Sequence, residues 1–133
     1  MNIVIDAAHA PVGRTASYAA KQALLGNDIV VVNAEQAFIS GSKSWVAAEY
    51  VERRARGGTS QKGPNFPSRP EFIFKRTIRG MLSYKQGRGR EAFKRIRCYR
   101  GVPLEFNDTT KVIMEAVPQG NYITLEQLSQ RLK

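Results

Sequence analysis

Asp6, His9 and Cys98 are the side chains here that could do chemistry beyond carrying charge, and each stands apart from the others. Asp6 closes the apolar run Ile3-Val4-Ile5 and could act as a general acid. The sequence sets no partner carboxylate or histidine motif beside it, so capping or turn formation is the expectation. His9 sits in the turn-like Ala8-His9-Ala10-Pro11, where contact with solvent or a ligand is the default for a loop histidine. Cys98 lies among Arg97, Tyr99 and Arg100. Cations lower a thiol pKa, but in a strand pattern inward packing is the expected fate of the sulfur. One cysteine makes no internal disulfide, and one histidine builds no metal site with it unaided. No nucleophile, base and oxyanion donor converge, so no enzyme, metal or cofactor is expected.

Phosphate-binding loops fail on the same inspection. A dinucleotide fingerprint needs glycines that let backbone approach a pyrophosphate at a helix N-terminus. The corresponding turn reads Ala7-Ala8-His9-Ala10-Pro11-Val12-Gly13, with one glycine. Gly41-Ser42-Lys43-Ser44 places a serine between glycine and lysine and has no upstream glycine, so it is not a mononucleotide P-loop.

The remaining chemistry is electrostatic. The chain of 133 residues has 21 Lys and Arg against 11 Asp and Glu, a net charge of +10. The excess is concentrated: residues 43–101 hold 16 basic and 4 acidic side chains, while 1–42 and 102–133 are each net −1. A solvated face normally mixes both signs. A membrane-surface helix needs an apolar face opposite the basic one, whereas these cations span several elements broken by Gly and Pro. Cations at many angles suit a folded polyanion. No apolar run approaches the roughly 18–20 residues that span a bilayer. The opening Met-Asn-Ile-Val-Ile-Asp lacks the pattern of a secretory leader, and a reducing, cytoplasmic setting is expected.

The positioning elements follow from periodicity. Ile3-Val4-Ile5-Asp6 and Ile29-Val30-Val31-Val32 read as strands buried on both faces. Between them Val12, Ala16, Ala20, Ala23 and Leu24 recur at helical spacing, and Gly26-Asn27 supplies a stop. The three form a βαβ unit. Ala37-Phe38-Ile39 predicts a short third strand. A helix over 44–56 is expected to carry its apolar stripe on Ala48, Val51 and Ala55, with Glu49–Arg53 and Glu52–Arg56 as i,i+4 pairs. Residues 57–70 form a Gly/Pro-rich loop. Pro70 starts a helix to about Leu82, with Phe74, Thr77, Ile78 and Met81 inward and Lys75, Arg76 and Arg79 outward. A short helix after Gly89 uses Ala92, Phe93 and Ile96 as its apolar side and aligns Arg90, Lys94 and Arg97. Ile96 to Arg100 then turns toward strand, and Thr124 with Gln127 makes a capping box for a helix over Leu125–Leu132. One α/β domain over 1–133 is expected, its segment 104–133 the least defined.

Ile78-Arg79-Gly80-Met81-Leu82-Ser83, Gly89-Arg90 and Ile96-Arg97-Cys98-Tyr99-Arg100-Gly101 resemble the signature of the ribosomal protein L13 family. Val4-Ile5-Asp6-Ala7, Gly13-Arg14, Val31-Val32-Asn33-Ala34-Glu35 and Ser40-Gly41-Ser42-Lys43 are similar to it as well, in family order, and together cover most of residues 3–103. The Gly/Pro loop and Pro67-Ser68-Arg69-Pro70 resemble the archaeal and eukaryotic branch. Ser83 departs from the proline of many members, which bears on how that helix ends. The resemblance implies a three-layer α/β/α domain around a four-stranded, mainly parallel sheet. It also implies a structural constituent of the large ribosomal subunit, bound to ribosomal RNA beside neighbouring ribosomal proteins, supporting subunit assembly, with no membrane and no small-molecule substrate.

The residues expected to touch RNA are Arg14, Lys43, Arg53, Arg54, Arg56, Lys62, Arg69, Lys75, Arg76, Arg79, Lys85, Arg88, Arg90, Lys94, Arg95 and Arg97. Phe66 or Tyr84 is a candidate for stacking on a base. The competing readings are a free-standing RNA-binding translational regulator and a nucleotide-dependent RNA-modifying enzyme.

Overall fold

The structure, a computed structural model, describes residues 2–55, 67–118 and 120–132. Strand β1 (Asn2–Asp6), helix α1 (Val12–Leu24) and strand β2 (Asp28–Val32) form the opening βαβ unit. Val4 lies opposite Val30, and Ile5 opposite Val31, in parallel register. Two later strands complete the sheet: β4 (Ile96–Cys98) on the outer side of β2, and β5 (Lys111–Ile113) on the free side of β1. The order is β4-β2-β1-β5 and every pairing is parallel.

Alternation along these strands separates two faces. Ile5, Ile29, Val31 and Ile96 enter the main core, which α1 meets with Val12, Ala16, Ala19, Ala20 and Ala23. Alanines let the helix axis approach the sheet closely. The stop after α1 comes at Gly26, whose φ of +100° costs little without a Cβ. Helix α3 (Pro70–Gly80) packs on α1 and contributes Ile73, Phe74 and Ile78. Helix α5 (Leu125–Leu132) adds Leu125, Leu128 and Leu132. On the opposite face Val4, Val30 and Val32 lie under Tyr99 and Phe106, the latter from a 3-10 turn over Leu104–Phe106. The layers are therefore helices, parallel sheet, and a thin outer cover.

The third strand, β3 (Phe38–Ser40), forms as expected but lies outside the main sheet, pairing antiparallel with β6 (Tyr122–Thr124). Thr124 also caps α5: its hydroxyl accepts from the Gln127 N–H (3.2 Å), and the Gln127 side chain accepts from the Thr124 N–H (3.3 Å).

Three helix faces differ from the sequence expectation. In α2 (Lys43–Ala55) the buried residues are Val46 and Ala47, with Tyr50 half-buried, while Ala48 and Val51 are exposed. The helix meets β6 and α5, contacts that spacing within the helix could not specify. In α3, Met81 lies beyond the last helical residue and is exposed, whereas Ile73 and Leu82 are buried. Helix α4 (Gly87–Lys94) begins two residues before Gly89 and ends before Ile96, so Arg97 stands on β4 rather than beside Arg90 and Lys94. Glu49 and Arg53 pair at 2.7 Å. The Glu52–Arg56 expectation and most of the 57–70 loop fall outside the described residues.

Candidate nucleic-acid interface

Pro70 opens α3 at a position where its missing N–H is not needed. Ile73, Phe74 and Ile78 commit one side of α3 to the core, which leaves Phe72, Lys75, Arg76 and Arg79 at or near the surface. Aromatic rings hold the cations of this region in place. Arg69 lies over Phe72 (5.9 Å), Lys75 over Phe93 of α4 (5.2 Å), and Arg79 over Tyr84 (4.8 Å), with Lys85 6.0 Å from the same ring. Each such contact contributes roughly 0.5–1 kcal/mol when exposed. It restrains a long side chain while leaving the charge available.

Arg76 is part-buried beside Arg79. Partial burial, and then the neighbouring Arg79, push its pKa below the usual arginine value, while Tyr84 opposes the shift. Arginine stays charged nonetheless. At the end of α2, Arg53 pairs with Glu49 and sits 5.3 Å from the centre of the Tyr50 ring. Burial raises the Tyr50 pKa; Arg53 acts against this and Glu49 adds to it. Arg53 and Arg76 face one cleft between α2 and α3.

Arg88 and Arg90 are exposed on α4. Their placement depends on Gly89, where an added Cβ would come within 2.0 Å of the Ser83 carbonyl oxygen. Lys94 is exposed with Glu91 at 3.9 Å, a pair too solvated to hold it. Arg97 projects from β4 and is exposed.

Other expected contact residues are placed elsewhere. Arg14 is exposed in the first turn of α1 and borders a hollow with Phe38 and Ala116. Lys43 is exposed at the start of α2, and its carbonyl accepts a hydrogen bond from Arg131 at 3.3 Å. Arg95 donates to the Ala23 carbonyl at 3.0 Å, bracing the C-terminus of α1. Arg54 belongs to α2 by its backbone, and Arg56, Lys62 and Phe66 lie outside the described residues. Sequence reasoning passed over Tyr50, Phe72 and Phe93 as partners of the cations. Their spacing of three residues from Arg53 and Arg69 was a usable signal for the first two. The Lys75–Phe93 contact joins two helices and left none.

The residues that could do other chemistry are occupied structurally. Asp6 accepts from the Ala8 N–H and from the Asn33 amide, each at 3.0 Å, and so ties the ends of β1 and β2 together. His9 is exposed with φ +57°; its N–H donates to Gln36 and its carbonyl accepts from Ala116. Cys98 packs against the main core, and burial pushes its thiol up to about 12, against a smaller lowering by Lys75. Among the described residues no group of three His, Cys, Asp or Glu side chains could hold a metal ion.

The model of the family described as ribosomal protein L13 matches residues 1–105. The large ribosomal subunit protein uL13 of Methanosarcina barkeri is 48% identical, with 97% of this chain and 96% of the relative covered. The proteins of the same description from Methanocaldococcus jannaschii and Archaeoglobus fulgidus are each 46% identical, over 97% of this chain and 96% and 86% of their own lengths.

Proposed function

The chain belongs to the ribosomal protein L13 family, and from that premise we propose that it is a structural constituent of the large ribosomal subunit that binds ribosomal RNA through a basic surface centred on α3 and α4. The family is one of ribosomal structural proteins rather than enzymes, and its place is the cytoplasmic large subunit. The partners are ribosomal RNA and neighbouring proteins of that subunit, whose assembly the chain supports. It acts as one domain, with the parallel sheet and helical core as a rigid mount.

The observation that carries the reading is the ring-braced array Arg69, Lys75, Arg79 and Lys85, with Arg76 beside Arg79. Exposed Arg88, Arg90, Lys94 and Arg97 extend it, and Arg14, Lys43, Arg53, Arg54, Arg56 and Lys62 are further contacts. Guanidinium forks brace adjacent phosphates, and recognition rests mainly on RNA shape and backbone. If about 6–10 phosphates are neutralised, affinity falls by about three to five orders of magnitude between 50 and 200 mM salt. Filter binding of the purified protein to large-subunit RNA transcripts across that range checks this. A flat response removes the phosphate grip.

A further inference from the structure

The cleft between α2 and α3 has a composition that a phosphate grip alone does not require. Its volume is about 250 Å³, room for one planar heterocycle and too little for a helix groove. Ile73, Pro67 and Gly80 give it apolar walls, and Tyr50 and Thr77 bring hydroxyls. Arg53 and Arg76 also line it. At Gly80 a Cβ would meet nothing within 4 Å, so the missing side chain leaves that wall open. The Thr77 hydroxyl donates to the Ile73 carbonyl at 3.0 Å, so its oxygen can still accept from a base edge. Glu49 fixes Arg53 from behind at 2.7 Å.

We infer that this cleft receives a single unpaired nucleotide of the bound ribosomal RNA. The base inserts against Ile73 and Gly80 with its edge toward the Tyr50 and Thr77 hydroxyls, and Arg53 and Arg76 hold the adjoining phosphates. Bases splayed from loops and bulges are what proteins read in RNA, since the edges within an A-form helix are poorly accessible. The inference rests on the ribosomal RNA reading, and adds to it one point of shape- and base-dependent recognition outside the salt-dependent grip.

Two uncharged substitutions fill the cleft and leave every cation in place: Thr77→Met and Gly80→Leu. Filter binding to the large-subunit RNA transcript, with circular dichroism melts to confirm folding, should show affinity reduced about tenfold, the size of one lost base contact. The slope of affinity against salt should change by no more than the phosphates that Arg53 and Arg76 hold, because the rest of the grip is intact. Ultraviolet irradiation of the wild-type complex, with mass spectrometry, should place a nucleotide adduct on Tyr50 or within residues 73–80. Folded variants within twofold of wild type overturn the inference while the RNA reading stands, and so does a wild-type complex with no adduct at those residues. A wild-type chain that binds no ribosomal RNA overturns both.

Discussion

The guanidinium of Arg95 donates to the Ala23 carbonyl at 3.0 Å, at the negative end of α1, and joins the start of β4 to that helix. The guanidinium of Arg79, 4.8 Å from the centre of the Tyr84 ring, uses its face for the ring and leaves its in-plane N–H groups for an anion. Identical side chains therefore divide between structure and binding according to what lies within reach. Cys98 divides in the same way. Arg97 and Arg100 beside it in sequence suggest an activated thiol, but strand alternation turns the sulfur toward the core. Burial pushes its pKa from 9.0 to about 12, a change that Glu71 reinforces and Lys75 opposes. At pH 8 the folded chain should hold about three orders of magnitude less thiolate than the unfolded one. Iodoacetamide labelling at pH 8 should be correspondingly slow until urea is added; equal rates in the two states would show that the sulfur is not protected. The sign also fixes a stability effect. The raised pKa contributes stability that is complete below pH 9 and is lost as pH rises toward 12.

At the scale of elements, α4 shows how a glycine can set where a cationic helix starts. An added Cβ at Gly89 would lie 2.0 Å from the Ser83 oxygen and 2.3 Å from its carbonyl carbon, both backbone atoms that cannot rotate away. Gly89→Ala should cost about 1–3 kcal/mol, the usual range for overpacking. Gly87→Ala, with nothing within 4 Å, should be neutral or stabilise by up to about 1 kcal/mol. Urea unfolding of the two variants separates them; equal midpoints would mean that the turn before α4 yields freely. Gly89 was legible as a break but not as a contact, and the same limit runs through the fold. The strands β1 and β2, the alanine face of α1 and the Thr124–Gln127 cap were legible because each is set by periodicity or by neighbours within four residues. The buried face of α2 was not. Val46 and Ala47 turn inward because β6 and α5, some eighty residues later, pack there. Arg97 was misaligned for a related reason: the helical spacing of Arg90, Lys94 and Arg97 runs on in sequence past Lys94, and pairing of β4 with β2 is what ends it. In the interface, charge marked the region. Tyr50, Phe72 and Tyr84 lie within five residues of the cations they hold, whereas Phe93 reaches Lys75 from another helix, which no single window of sequence displays.

For the whole molecule, the net charge of +10 acts on two equilibria with opposite signs. With residues 43–101 carrying more than the whole of the excess, the cations of α3 and α4 repel one another in the folded state, as the part that Arg79 adds to burial in lowering the Arg76 pKa indicates. Salt screens that repulsion over about 8–10 Å at physiological strength. It also weakens surface pairs such as Glu91–Lys94, but those contribute little. Added salt should therefore stabilise the free protein, raising its Tm by several degrees between 20 and 300 mM, at roughly 4 °C per kcal/mol for a chain of this size. The same salt should release the protein from ribosomal RNA, because binding gains from counterions that salt returns to the backbone. Opposite responses in one buffer series, Tm rising while RNA affinity falls, are what a surface built to meet a polyanion produces. A Tm that falls with salt would mean that the cations are balanced within the fold by attractive pairs. In that case the basic block would stabilise the chain itself, and RNA would not be needed to offset it.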